Sequence, residues 1–330
     1  MFLKNKLMSG VVAASVAAFT AIGVSTPATA AEDYPNKPIR MLVGFSAGGT
    51  TDVAARILAK EIGDTLGETV IVENRPGAGS NIASEAVSRA KPDGYTIYMV
   101  AVTAAINQTL YKNLRFDLTQ DFTPIAAGVA VPNVLVVNPE VPVNSVQELV
   151  EYAKANPGKL NLASSGSGTS IHMAGELFKQ LNDIDVQHIP YKGSAPAMSD
   201  LIGGQVDYMF DNMPSAWPHA QGGALRALAV TTAERSDAAP DLPTMQESGF
   251  ETFDVSSWFG IIGPKGIPED IVNKLNQAVQ VALDNPDVQK NLAELGAVPV
   301  KGTPAEFGEF LNNEVESWAE VVKGSGATVD

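Results

Sequence analysis

Two successive α/β domains are what this sequence predicts, on three observations. Apolar strand-like runs alternate with helical patterns from Tyr34 to about Ala130, and the alternation restarts beyond Val131. In each half, one strand passes through a Gly/Ser turn straight into a helix. The first of these junctions is Ile39-Arg40-Met41-Leu42-Val43-Gly44-Phe45-Ser46-Ala47-Gly48-Gly49, and the second is Leu160-Asn161-Leu162-Ala163 followed by Ser164-Ser165-Gly166-Ser167-Gly168-Thr169-Ser170.

In the first half, a strand to Phe45 is followed by a helix from Thr51 to Leu66, with Gly67 where a C-cap glycine belongs. A strand Thr69–Val72, a helix near Asn81–Ala90 and a strand Thr96–Val100 come next, the last introduced by the turn Pro92-Asp93-Gly94. This grammar predicts a mostly parallel sheet. The second half opens with a strand Asn133–Val137. Its first helix carries the capping box Ser145-x-x-Glu148 and stops at Asn156-Pro157-Gly158.

After the second Gly/Ser loop, Met173, Leu177, Phe178 and Leu181 recur at helical spacing. A helix Ala195–Ile202 and strands Val206–Phe210 and Leu225–Val230 follow. Thr231–Phe253 is rich in Asp, Pro, Ser and Glu and reads as a surface connection, before one more strand from Val255 to Ile262. In the tail, Pro268 starts a helix with Ile271, Leu275, Val279 and Leu283 on one face, which Asn285-Pro286 ends. Pro304 opens a last helix carrying Phe307, Phe310, Leu311 and Val315. Assigning the tail to the first domain makes the chain cross twice, near Val131 and Ser256. One lobe is then 31–131 plus 256–330, and the other is 132–255.

Lys4 and Lys6, an apolar run from Leu7 to Val24 and Ala28-Thr29-Ala30 mark residues 1–30 as a secretory signal peptide, with Ala31 as the mature N-terminus. The chain contains no cysteine, which excludes disulfides and a lipid-bearing cysteine, so a freely soluble protein of the periplasm is expected. A formal net charge of −15 leaves no basic stripe for nucleic acid.

No cofactor or metal motif is present. Thr50-Thr51 stand where a P-loop needs Gly-Lys-Ser/Thr, and Ile171 and Ile82 replace the third glycine of the dinucleotide pattern. The three histidines form no H-E-x-x-H. Gly44-Phe45-Ser46-Ala47-Gly48 does match the G-x-S-x-G nucleophile elbow, so a secreted serine hydrolase using Ser46 is the alternative function. Against it, the elbow sits on the first strand of the mature chain, and no histidine precedes a glycine to make an HGGG-type oxyanion loop.

The two junctions have a simpler chemistry. The first N–H groups of a helix lack intrahelical partners and carry partial positive charge, so each loop is suited to a carboxylate or phosphate without any Lys or Arg. Two such loops on separate domains, facing each other, would hold one anion from both sides.

The segments Tyr34-Pro35-Asn36-Lys37-Pro38-Ile39-Arg40, Phe45-x-x-Gly48-Gly49-x-x-Asp52, Glu73-Asn74-Arg75-Pro76-Gly77-Ala78-Gly79 and Pro92-Asp93-Gly94-Tyr95 resemble the Bug family of substrate-binding proteins of tripartite tricarboxylate transporters. The resemblance continues through Pro132–Val137, Ala163–Ser170, Pro190-Tyr191-Lys192-Gly193, Asp211-Asn212 and Ser257-Trp258-Phe259-Gly260. It implies an α/β fold of the type 2 periplasmic-binding-protein kind, in which two lobes, each a mixed sheet flanked by helices, enclose a cleft. It also implies a receptor that delivers a carboxylated ligand to membrane permease subunits; a non-enzymatic monomer for a di- or tricarboxylate is the expectation, with aromatic acids and acidic amino acids left open.

By the same resemblance the ligand is gripped by Phe45, Ser46, Ala47, Gly48, Gly49 and Asp52 from one loop and by Ser165, Gly166, Ser167, Gly168, Thr169 and Ser170 from the other. Main-chain N–H groups, hydroxyls and ordered water make the contacts. Many members carry prolines in and just before the first loop, where Gly44, Ser46 and Ala47 stand here. Asp211 reads either as a ligand contact or as a helix cap, and Trp258 as a cleft wall or hinge packing. Arg75 faces a distal carboxylate or sits in an exposed turn, and His172 reads as packing.

Overall fold

In the computed structural model, which describes residues 34–325, 327 and 329, a core strand comes first. The expected leader and its cleavage site lie outside the described residues. β1 (Ile39–Val43) is buried at four of its five positions, with Ile39, Met41 and Val43 in one apolar cluster and Leu42 in another across the sheet. α1 (Thr50–Leu66) ends at Gly67, whose φ of 74° lets its N–H reach the Gly63 carbonyl. β2 (Val70–Asn74), α2 (Asn81–Ser88) and β3 (Thr96–Ala101) follow, then α3 (Thr103–Leu110), a helix that the sequence reading passed over.

β4 (Phe122–Val137) is a single strand of 16 residues, where the sequence reading placed only Asn133–Val137. In the fold, bulges beside Pro124 and between Ala127 and Val129 absorb the lost register. The second lobe then builds α4 (Val146–Ala155), β5 (Asn161–Ser164), α5 (Ser170–Asn182), β6 (Gln187–Pro190), α6 (Ser194–Ile202), β7 (Tyr208–Asn212), α7 (Met213–Gln221) and β8 (Arg226–Val230). The capping box is half formed: the Ser145 hydroxyl accepts from Glu148 N, but the Glu148 carboxylate reaches Asn144 N.

β9 (Ser256–Pro264), α8 (Glu269–Asp284), α9 (Pro286–Glu294), β10 (Val298–Pro299) and α10 (Pro304–Ser325) complete the chain. Asn285 closes α8 and also caps α9 through its side chain, so Asn285-Pro286 starts a second helix as well as ending the first.

The strands run in the order β2-β1-β3-β9-β4-β7-β5-β6, with β8 and β10 also paired to β4. β1 lies parallel to β2 and β3, and β5 parallel to β6 and β7, whereas β9 is antiparallel to β3 and β4. The first lobe is therefore mixed and not mostly parallel, because its fourth strand arrives from the far end of the chain. β4 belongs to both lobes: Phe122 to Pro132 pair with β9, and Asn133 to Val137 with β7.

One core packs α1 and α8 on one face of the first-lobe sheet, and a second lies on the opposite face under α2, α3 and α10. The second-lobe core gathers Phe178, Tyr208, Phe210 and Phe253. Phe253 and Met245 are fully buried, and the Phe253 ring stacks on Phe210 at 5.6 Å. Thr231–Phe253 is thus a packed segment, not a surface connection, and truncating Phe253 to Ala is expected to remove about 3–5 kcal/mol. Among the described residues, no helix is long and apolar enough to cross a membrane.

Candidate functional site

The loop after β1 is folded by a buried carboxylate. Asp52, 3 % exposed in the first turn of α1, accepts from Gly48 N at 2.9 Å, from Arg56 Nε at 3.0 Å and from Asn74 Nδ2 at 2.9 Å. Burial pushes its carboxyl up, but the hydrogen bonds from Arg56, Gly48 and Asn74 outweigh it and hold the group below its ordinary value. Asn74 also donates to the Phe45 carbonyl at 3.0 Å. With its acceptor capacity engaged by the protein, Asp52 shapes the loop and does not line a cavity.

The second loop rests on two stacked imidazoles, His172 and His188, with ring centroids 4.2 Å apart. His172 Nδ1 accepts from Gly168 N at 3.2 Å, and His188 Nε2 bonds Ser164 Oγ at 2.6 Å. Burial, with the Lys179 ammonium nearby, lowers His172 to about 4; burial and the neighbouring His172 lower His188 to about 3. Both rings are therefore neutral at neutral pH, as the bond from Gly168 N requires of His172. His172, Glu176 and His188 bring potential metal-ligand atoms within 4.8 Å of one another, but Lys179 already bonds both Glu176 oxygens.

Thr169 is the N-cap of α5. Its hydroxyl accepts from His172 N at 3.1 Å and donates to the Gly166 carbonyl at 2.8 Å. Its proton is thus committed inside the loop.

Between the lobes lies an inner cavity of about 20 Å³ and, adjoining it past Phe45 and Ser165, an outer cavity of about 160 Å³. The inner one is lined by the starts of five helices: Gly49, Thr50 and Thr51 of α1, Thr103 of α3, Thr169, Ser170 and Ile171 of α5, Ser194 of α6 and Asn212 of α7. Only α5 has a side-chain cap; the other four present uncapped first turns. Among the described residues, none lining this cavity carries a charged side chain. The arrangement suits an anion held by backbone dipoles in a site closed to solvent.

Of the thirteen residues singled out from the sequence, Phe45, Gly49, Ser165, Thr169 and Ser170 line the inner cavity, and Phe45, Ser165, Gly166 and Ser167 line the outer one. Ser46, Ala47, Gly48, Asp52, Gly168 and Asp211 line neither. Gly168 supports the loop from beneath, with a φ of 81° and no room for a Cβ beside Asn107. Thr50, Thr103, Ser194, Asn212 and Ser257 were missed, although Gly193-Ser194 is another small-residue helix start and could have been found as one. On the outer wall, Ser80, Tyr111 and Tyr191 were missed as well.

Asp211 is fully buried; its two oxygens accept from Ser194 Oγ at 2.7 Å and Ser215 Oγ at 2.6 Å, and Thr50 Oγ1 bonds that same Ser215 hydroxyl from the other lobe at 3.1 Å. Burial pushes its carboxyl up to about 6, against the hydrogen bonds from Ser215, Ser194 and Asn212 N. Neither a direct contact nor a helix cap, it links the α6 and α7 starts. Arg75 pairs with Glu73 at 2.7 Å and lines neither cavity. Trp258 lines neither cleft cavity, and its indole donates to Glu314 at 2.6 Å. Ser46 Oγ is buried without a hydrogen-bond partner, and Ser46 N bonds the Lys192 carbonyl across the cleft at 3.0 Å.

Two α/β lobes closed on an amide-lined cleft define a solute-binding protein of the periplasmic-binding-protein fold. Residues 54–327 match the tripartite tricarboxylate transporter family receptor, and the chain belongs to that family. It is 38 % identical over 307 residues to protein BugT of Bordetella pertussis, covering 92 % of this chain and 94 % of that one. Among solved structures, an R. palustris protein with adipate is 36 % identical with a TM-score of 0.87, covering 89 % of this chain and 99 % of that one. MatC from Rhodopseudomonas palustris with bound malate is 33 % identical with a TM-score of 0.84, covering 88 % and 100 %.

Proposed function

We propose that this protein is a monomeric, non-enzymatic periplasmic receptor that closes on a short dicarboxylate and hands it to the permease subunits of a tripartite tricarboxylate transporter. The observation that carries this reading is the convergence of five helix starts on one cavity without a charged wall. One carboxylate sits there, against the first N–H groups of α1 and α5. The rest of the ligand fills the outer cavity, where the hydroxyls of Ser167 and Tyr111 can meet a distal carboxylate. The two dicarboxylate-bound relatives support the same size class.

Residues 31–131 with 256–330 form the lobe that presents Phe45 to Asp52, and 132–255 the lobe that presents Ser165 to Ser170. The crossings at β4 and β9 act as the hinge. A leader cleaved after Ala30 delivers the chain to the periplasm. A hydrolase using Ser46 has less support, because His172 and His188 are bonded elsewhere and neither reaches Ser46.

Titration calorimetry of the mature protein against malate, adipate, citrate and their monocarboxylate counterparts tests this. The expected result is saturable binding of at least one dicarboxylate, with the monocarboxylates weaker. Equal affinity for mono- and dicarboxylates, or labelling of Ser46 by a fluorophosphonate, would overturn it.

A further inference from the structure

We propose that a second ligand site lies behind the hinge, in a cavity of about 890 Å³ between α5 and α10 that takes an organic cation with an apolar body. Its volume falls in the range of small-molecule sites, about 300–1,000 Å³. It opens on the side of the sheet away from the cleft, and among the described residues Phe259 is the one that lines both this cavity and the inner cleft cavity. Successive residues of a strand face opposite ways, and on β9 Ser257 lines the inner cleft cavity while Trp258 lines the rear one. Along α5, Ser170 and Ile171 line the cleft, whereas Met173 and Leu177 line the rear.

The walls explain the chemical class. Met173, Leu177, Trp258, Phe307, Phe310 and Trp318 give an apolar and aromatic lining, and Phe310 remains 38 % exposed although it lies on the pocket. The half-buried Glu314 carboxylate holds this wall together: its Oε2 accepts from Trp258 Nε1 at 2.6 Å and from Trp318 Nε1 at 3.0 Å. Asp254 and Glu306 add negative charge at the rim. Among the described residues, no lysine, arginine or histidine pairs with any of these three acids, and the one lining ammonium, Lys301, is drawn to Asp284. A carboxylate fixed between two indoles, with no cation beside it, favours an ammonium head through charge and through the faces of the rings. The same three acids disfavour the carboxylates proposed for the cleft, so the two sites differ in ligand charge.

The site can be tested without any cleft ligand. Two of the three tryptophans line the rear cavity, so intrinsic fluorescence reports on it directly. The probes are 4-phenylbutylammonium and the neutral 4-phenylbutanol, which share one apolar body. The ammonium is expected to change the fluorescence saturably and to bind about tenfold more tightly than the alcohol. Glu314→Gln is expected to abolish that preference while leaving the alcohol's affinity in place. Ser317→Phe, at an exposed position on the pocket wall, is expected to weaken both probes. Absence of a saturable change, equal affinity of the two probes for the wild type, or full preference retained in Glu314→Gln would each overturn the assignment.

Discussion

Replacing Thr169 by Ala separates a residue that builds the anion loop from one that touches the anion. The hydroxyl makes two bonds, accepting from His172 N at 3.1 Å and donating to the Gly166 carbonyl at 2.8 Å. The Gly166 carbonyl keeps a second donor in Thr169 N at 3.3 Å, so its loss is small, but the buried His172 N is left without a partner. A lost N-cap removes about 1 kcal/mol, and an unsatisfied buried donor brings the total to about 1–2 kcal/mol. Because the hydroxyl proton is already committed, direct loss of a ligand bond is not expected, and affinity should fall no more than about threefold through loosening of the loop. A hydroxyl bonded to the carboxylate itself would be worth about 1.5–3 kcal/mol, a loss of at least tenfold. Urea unfolding measures the first quantity and calorimetry with the bound dicarboxylate the second, with Thr169→Ser as the variant that restores both. Affinity reduced beyond tenfold at unchanged stability would refute the assignment of Thr169 as a cap.

Asp211 ionises in the folded state only near pH 6 against an ordinary 3.8, so the folded state holds more protons in between and stability falls as pH rises through that window. Asp211→Asn is therefore expected to be more favourable, relative to the wild type, at pH 8 than at pH 4, as read by urea unfolding. His172 works in the opposite sense: its folded value of about 4 lies below 6.5, so the unfolded chain takes the proton first and stability falls as pH drops from about 6.5 toward 4. His172→Asn, which keeps an acceptor near Gly168 N, is expected to flatten that acid limb. Asp52→Ala leaves Gly48 N and Asn74 without their shared acceptor, while the exposed Arg56 guanidinium turns to water, and is expected to destabilise by about 1–3 kcal/mol while weakening ligand binding, even though Asp52 lines neither cavity. Stability within error of the wild type would show that the loop folds without it.

The Gly/Ser junctions were legible because they combine local punctuation with helical periodicity, and both loops reach the cleft. The helix starts at Thr103 and Asn212 carry no comparable punctuation: each follows its strand almost directly, and only the tertiary fold aims them at the same point. The first part of β4 was passed over, because bulges in the fold accommodate Pro124 and Gly128 and interrupt any simple strand period. Asn285-Pro286 ends its helix as expected, and the same asparagine also caps the next. Roles inside the loops were least visible. Asp52 and Thr169 are polar residues beside an anion site, and sequence cannot distinguish a side chain that faces the ligand from one whose hydrogen bonds are spent on the backbone. The packed segment ending at Phe253 failed for a related reason, since its polar composition hides two side chains that complete a core.

The order in which strands meet bears on how the chain acquires its shape. β9 lies between β3 and β4, yet Ser256, where it begins, follows Ala101, where β3 ends, only after the whole second lobe has been encoded. A chain emerging N-terminus first therefore has β3 and the first part of β4 complete in sequence long before the strand that joins them exists. Their unpaired edges are templates for intermolecular pairing, and the pairing that covers them has a large sequence separation. The second lobe has no such delay, because β4 to β8 are consecutive. It can close first and hold β4 at its Asn133 end, after which β9 zips along Phe122–Pro132 and seals the first lobe.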